Sequence, residues 1–274
     1  MKSFISLILF FLCSVLHIAA QETSADLFQK AMELKKIRDC DQILVLLNKA
    51  LEQKPAFGDA LLEKGWCLNE LNRSGEAIPV LLKAKSILKN NYQVYYELGH
   101  AYYATDSSEL SFKYFKEALK LKPDHSLSII GIGDLYREKI VNTTEAITWY
   151  RKALKIDSNH KKANYWTGWC YNDNKKYDSA ILYLQKVLNA DPSNPLASVE
   201  LGYTYYSLNR CNDAIETLKP ALAAKPKAEL AVFYSGMCLV KNGSKAGALD
   251  KYNELVILNS TYASQLLAEI QKMK

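Results

Sequence analysis

The stretch Tyr92–His125, YQVYYELGHAYYATDSSELSFKYFKEALKLKPDH, decides the fold. Within it, Tyr95-x-x-Leu98-Gly99-x-x-Tyr102 is followed by Phe115, Ala118 and Pro123. Apolar and small residues recur at helical spacing over Val94–Tyr103 and again over Leu110–Leu121, and the polar Thr105-Asp106-Ser107 divides the two runs. The pattern predicts two helices joined by a short turn. Gly99, inside a helical run, costs about 1 kcal/mol relative to alanine, which is tolerable where a neighbouring helix must come close. Ala118 meets the same need one helix later, and Tyr95, Leu98, Tyr102 and Phe115 fill the space around these contacts. Pro123 lacks an amide hydrogen and ends the second helix.

With Gly99 as position 8 of a 34-residue frame, the pattern reads in both directions along the chain. Ser24–Phe57 carries Ala31, Ala50 and Pro55, and Gly58–Asn91 carries Gly65, Leu68, Ala77 and Leu81. Ser126–His160 carries Ile132-Gly133-x-x-Tyr136, Ala146 and Tyr150, with one extra residue near Val141-Asn142-Thr143. Lys161–Asn194 carries Gly168, Tyr171, Ala180 and Leu184; Pro195–Ala228 carries Leu201-Gly202-x-x-Tyr205, Ala214, Leu218 and Pro226; Glu229–Tyr262 carries Gly236, Leu239 and Ala248. Asn164 and Ser198 depart from the frame at position 4, where a large apolar residue is usual. The pattern resembles the tetratricopeptide repeat family, whose signature is W-x2-L-G-x2-Y, then A-x3-F, an alanine and a proline. The resemblance spans seven tandem repeats, residues 24–262. It implies an all-α fold, a right-handed α-solenoid in one cooperative array, because a single hairpin cannot bury its apolar face alone. Residues 263–274 read as a capping helix, with Tyr262, Leu266, Leu267 and Ile270 as its apolar stripe.

Residues 1–20 differ from all that follows. Lys2 precedes an apolar run from Phe4 to about Leu16, and the stretch closes on Ala19-Ala20-Gln21. A positive start, a short apolar run and small residues at its end are the features of a secretory signal peptide. They place the protein in a secreted or periplasmic setting, with an uncleaved membrane-tethering leader as the alternative. The run is shorter than the roughly 20 residues of a comfortable span. Net charge is +6 over 274 residues and the charges are scattered, so nothing here marks a nucleic-acid binder.

Of six cysteines, Cys13 lies in the leader. Cys40 and Cys211 occupy position 17, and Cys67, Cys170 and Cys238 occupy position 10. The family resemblance implies that position 17 packs near position 10 of the next repeat. On that basis Cys40–Cys67 and Cys211–Cys238 are expected as two equivalent disulfides, and Cys170 as a buried thiol. The alternative is that cysteine serves at position 10 as a small apolar residue.

Catalytic and metal-binding patterns are lacking: no HExxH, CxxC or glycine-rich phosphate loop occurs, and His125 and His160 read as solvated loop residues. Neither cofactor nor catalysis is expected. The resemblance instead implies that positions 2, 5, 9, 12 and 13 of the first helices line a concave face. There they place Phe28, Met32, Leu62, Trp66, Tyr96, His100 and Tyr103, then Ile130, Asp134, Arg137, Tyr165, Trp169, Val199, Tyr203, Tyr206, Phe233 and Met237. The partner-binding expectation rests on Trp66, Tyr96, His100, Tyr103, Arg137, Tyr165, Trp169, Tyr203, Tyr206 and Phe233. Exposed aromatic side chains offer large contact area at low entropic cost. Five cations and five anions share these positions, so no phosphate-binding track is expected. The lysine and asparagine set with which chaperone-binding members hold a C-terminal carboxylate is missing as well. The reading is a non-catalytic protein-interaction scaffold binding a peptide or protein segment, with a glycan- or peptidoglycan-binding module as the alternative.

Overall fold

A residue in the left-handed backbone region sets the turn of every hairpin. Arg38, Asn72, Asp106, Val141, Lys175 and Asn209 have φ between 55° and 60°, and Gly243 has φ 76°. Such a residue lets the next amide reach back and close the end of the first helix. Arg73 N–H donates to Leu68 O, Ser107 N–H to Tyr102 O and Lys176 N–H to Tyr171 O, each at 2.8 Å. In the fourth hairpin Asn142 N–H reaches Tyr136 O, one residue farther back, also at 2.8 Å. The extra residue is therefore absorbed in this turn, and Val141, a β-branched residue, holds φ 56° there.

The computed structural model describes residues 22–224 and 228–273. The expected leader and Pro226 lie outside them. Among the described residues there are fifteen helices and no strand. They are α1 (Ser24–Lys35), α2 (Cys40–Gln53), α3 (Gly58–Glu70), α4 (Ser74–Ile87), α5 (Tyr92–Ala104) and α6 (Ser108–Leu121). After them come α7 (Ser126–Glu138), α8 (Thr143–Ile156), α9 (Lys161–Asp173), α10 (Tyr177–Ala190), α11 (Pro195–Ser207), α12 (Cys211–Ala224), α13 (Glu229–Lys241), α14 (Lys245–Ile257) and α15 (Tyr262–Gln271).

Where the sequence leads one to expect a single array, the chain falls into two compact units that divide after Leu121. Each is an α-solenoid of helical hairpins. Within a unit, the two helices of each hairpin pack on each other and each later first helix packs on the second helix of the hairpin before; α5, α11, α13 and α15 also touch the preceding first helix. The first helices thus form one layer and the second helices another.

The two layers meet where the glycines stand. A Cβ on Gly99 would lie 2.6 Å from Phe115 Cδ1, and one on Gly202 would lie 2.5 Å from Leu218 Cδ2. Phe115 and Leu218 are almost wholly buried, so neither can swing away. Asn164, which departs from the apolar pattern, is buried and its Nδ2 donates to Ser158 O at 2.9 Å and His160 O at 3.2 Å. The amide thereby reaches the loop carbonyl of Ser158 and the N-cap carbonyl of His160, which also accepts from Asn164 N–H. In α15, Leu266 and Ile270 are buried and Tyr262 and Leu267 are half-buried, so the stripe read from the sequence faces the stack.

This packing gives opposite signs to the same substitution at two glycines. Gly202→Ala gains about 1 kcal/mol of helix propensity but overpacks against Leu218, at about 1–3 kcal/mol. Gly75, also helical, has no atom within 4 Å of the place its Cβ would take. Urea denaturation should show a lowered midpoint for Gly202→Ala and a raised one for Gly75→Ala.

Candidate functional site

The second unit holds the better-defined site. Helices α9, α11 and α13 place Trp169, Asn172, Asp173, Val199, Glu200, Tyr203, Leu230 and Tyr234 around a cavity of about 250 Å³, with Lys175 from the α9–α10 turn completing its wall. These are the first helices of three consecutive hairpins. Their buried side is spent on the second helices through Gly168 and Gly202, which leaves the opposite side free for large rings. Tyr203 and Tyr234 have ring centroids 5.3 Å apart, and Tyr206 lies 5.5 Å from Tyr234. Tyr177 meets Tyr203 edge-on at 6.2 Å. Burial pushes the Tyr234 phenol up to about 12, so it acts as a neutral wall with a hydrogen-bonding tip.

A fixed amide anchors the floor of this cavity. Asn172 Nδ2 donates to Glu200 O at 3.1 Å and to Glu200 Oε2 at 3.2 Å, and its Oδ1 accepts from Thr204 Oγ1 at 2.8 Å. Burial raises the Glu200 carboxyl above its ordinary value, and the bond from Asn172 opposes that rise.

The first unit repeats the arrangement. Asn69 Nδ2 donates to Glu97 O at 3.1 Å and to Glu97 Oε2 at 2.8 Å. Trp66 is half-buried beneath Lys35, whose Nζ lies 4.5 Å from the ring centroid and 2.5 Å from Glu63 Oε2. Tyr96, His100 and Tyr103 are also half-buried; Tyr96 lies 6.5 Å from His100 and 6.0 Å from Phe115. Glu97 is almost fully buried, and burial pushes its carboxyl up to about 7, against the bond from Asn69.

Several residues picked from sequence prove committed to packing. Leu62, Ile130 and Phe233, all at position 5, are buried. Phe233 packs against Tyr234 at 5.4 Å and Tyr262 at 5.0 Å. The Arg137 side chain is only 9% exposed, pairs with Glu138, and its guanidinium lies 3.4 Å from the Trp166 ring centroid. Its Nε donates to Tyr150 Oη at 3.1 Å; Tyr150 Oη donates to Asp134 Oδ1 at 2.7 Å, and Lys162 Nζ to Asp134 Oδ2 at 2.7 Å. Arg137 and Asp134 therefore form an internal polar knot. Tyr165, half-buried, packs on Trp166 at 4.7 Å, and Tyr206 lies under Lys241 at 4.1 Å.

The sequence reading missed position 6, which supplies Glu97, Trp166, Glu200 and Tyr234. A signal was present. Gly65-Trp66-Cys67-Leu68-Asn69-Glu70 recurs as Gly168-Trp169-Cys170-Tyr171-Asn172-Asp173, and each asparagine is followed 28 residues later by a glutamate. The loop histidines have structural work: His160 Nδ1 accepts from Ala163 N–H at 3.3 Å, and His125 Nδ1 lies 2.8 Å from Ser128 Oγ. No metal-binding cluster occurs among the described residues, and none of their helices is long and apolar enough to cross a membrane.

All five described cysteines are buried thiols. Cys67 is hydrogen-bonded to Cys40 within one apolar cluster, and Cys238 to Cys211 within another. Burial raises the thiols of Cys67 and Cys238, and pushes that of Cys170 up to about 12.

Comparison with known proteins agrees with this architecture. Tetratricopeptide-repeat family models match residues 92–125 and 199–263, and the model of anaphase-promoting complex (cyclosome) subunit 3 matches residues 141–221. Anaphase-promoting complex subunit 3 of Schizosaccharomyces pombe is 25% identical over 47% of this chain and 19% of its own length. DnaJ homolog subfamily C member 7 of Homo sapiens is 28% identical over 48% of this chain and 31% of its own. The chain thus spans less than a third of the length of either relative. Among solved structures, the C-terminal part of a TPR repeat-containing protein from Cytophaga hutchinsonii superposes with a TM-score of 0.71, at 17% identity, over 88% of this chain and 99% of that one. YrrB, described as a TPR protein with an unusual peptide-binding site, superposes with a TM-score of 0.56, at 21% identity, over 68% and 95%.

The buried Glu97 makes stability depend on pH. Its folded-state value of about 7 stands above the ordinary 4.5. Below the ordinary value both states carry the proton; between the two values only the folded state does. Stability therefore falls as pH rises through that window, by at most about 3 kcal/mol. Glu97→Gln keeps an acceptor for Asn69 and removes the titration. Urea midpoints should coincide for the two proteins at pH 4, and the variant should be the more stable at pH 8.

Proposed function

We propose that this chain is a non-catalytic protein–protein interaction scaffold that binds an extended or helical segment along the outward rings of its first helices. The observation that carries the reading is the half-buried row Trp169, Tyr203, Tyr234 and Tyr206, stepping across three consecutive hairpins around an open-sided cavity. Rings that pack on each other are already ordered, so a partner meets large apolar area without freezing flexible side chains. The peptide-binding character of YrrB, whose fold this chain shares, supports the same use of the scaffold. Trp66, Tyr96, His100 and Tyr103 form the corresponding face of the first unit. Arg137 and Phe233 support the surface from beneath.

The secreted or periplasmic setting is part of the proposal. It is supported by the leader pattern of residues 1–20 and by the two thiol pairs, each placed to cross-link neighbouring hairpins. In that setting Cys40 and Cys67, and likewise Cys211 and Cys238, each exchange with a disulfide-bearing oxidant. Two thiols become one disulfide, and the oxidant leaves as two thiols. Each closed loop is worth roughly 3–4 kcal/mol in the chain-entropy model.

Capture from envelope extract tests the scaffold. The full chain should retain a protein partner, and Trp66→Ala with Trp169→Ala should lower its affinity at least tenfold at a temperature where circular dichroism shows the variant still folded. Retention of cell-wall polymer instead of protein would establish the glycan-binding alternative. Thiol counting on the exported, denatured protein should find one free thiol, that of Cys170; five free thiols would remove the disulfides.

A further inference from the structure

We infer that the cavity walled by Trp169, Tyr203 and Tyr234 receives a lysine or arginine side chain of the bound segment, with Glu200 as its counter-charge. This rests on the peptide-binding reading above and specifies one of its contacts.

The cavity borders three aromatic rings and the Glu200 carboxylate, on which no lysine or arginine of the chain acts, and comparison of the two equivalent tryptophans agrees with a cation there. Trp66 and Trp169 occupy the same place in the repeated Gly-Trp-Cys-x-Asn motif. Above Trp66 the chain supplies its own cation: Lys35, from the last turn of the preceding first helix, lies over the ring and pairs with Glu63. The residue at the place of Lys35 one motif later is Arg137. Its guanidinium is drawn away onto Trp166 and is held there by Tyr150 and Glu138. Among the described residues, then, no cation of the chain covers Trp169. The first unit shows that the tryptophan of this motif takes a cation on its face; in the second unit Trp166 stands at the place of Glu63 and meets Trp169 edge-on at 6.0 Å, and the open space is the cavity on the side of Trp169 toward α11 and α13.

The chemistry of the walls agrees. Ring faces attract a cation most strongly when water is partly excluded, and carboxylates at the rim fix its position. Glu200 is half-buried, and its one hydrogen-bonding side-chain partner is the neutral amide of Asn172. The groups acting on it include no lysine or arginine, and its carboxyl is raised by burial alone. An incoming ammonium or guanidinium would supply the missing charge. Asp173, which accepts from Thr143 Oγ1 at 3.1 Å, adds a second carboxylate, and Lys175 leaves the wall with one net negative charge. The aliphatic stem of lysine or arginine would lie against Val199 and Leu230.

A displayed library of random decapeptides, panned on the full chain, tests this. Selected peptides should be enriched in lysine and arginine at one position. Replacing that residue by norleucine should weaken binding at least tenfold, and Glu200→Gln should do the same to the lysine peptide while leaving the norleucine peptide unchanged. Selected peptides without a basic residue, or a norleucine peptide bound as tightly as its lysine parent, would overturn the inference and leave the aromatic-face reading intact, provided Trp169→Ala still abolishes binding. If the chain selects no peptide at all, the aromatic-face reading falls first and the inference with it. The norleucine arm alters only the peptide, so it stands even if Glu200→Gln disturbs the fold.

Discussion

The close approach of the two helices in each hairpin, with Phe115 over Gly99 and Leu218 over Gly202, is the contact on which everything else depends. It fixes the rotation of each first helix about its own axis. Once position 8 points at the second helix, positions 6 and 13 are turned to the far side and position 9 to the flank. The proposed binding face is thus a geometric by-product of how the core is closed. A helix of 13 residues gains little from its own propensity, so the orientation of those rings rests on this packing.

Much of the fold was legible because its signals are local and repeated. A glycine at the close contact, an alanine one helix on and a polar turn recur at one period, and even the extra residue at Val141 could be placed. The site was less legible, for a physical reason. Positions 5 and 6 are neighbours on the helix, and small rotations decide which is buried. Leu62, Ile130, Phe233 and also Glu97 turned inward, while Glu200 and Tyr234 took the boundary between core and surface. Arg137 shows a second limit. A sequence places a charge near a face, but only coordinates show that Tyr150, Asp134 and Trp166 have already engaged it. Likewise, the family resemblance implied that Cys40 meets Cys67 and Cys211 meets Cys238, whereas their oxidation state depends on surroundings the sequence only hints at.

The two asparagine–glutamate rungs are alike in bonding and unlike in consequence. Asn69 and Asn172 each bridge from one first helix to the next, bonding both a carbonyl and a carboxylate. In the first unit the carboxylate is sealed among Glu63, Glu70 and Lys35, and it acts on stability. In the second it borders a cavity and remains within reach of a visitor. One local device thus serves as a strut in one place and lines an open cavity in another, according to what neighbouring side chains cover it. Burial, more than residue type, separates the two roles.

The turns carry a different lesson. From the second hairpin on, each depends on one left-handed residue and one returning amide, and both lie at the hairpin tip. At Val141 the chain has accepted an additional residue, and α7 and α8 still meet through Gly133 and Tyr150. Hairpin tips are therefore where this architecture can lengthen or vary over generations, and where a foreign segment could be grafted without disturbing the stack beneath.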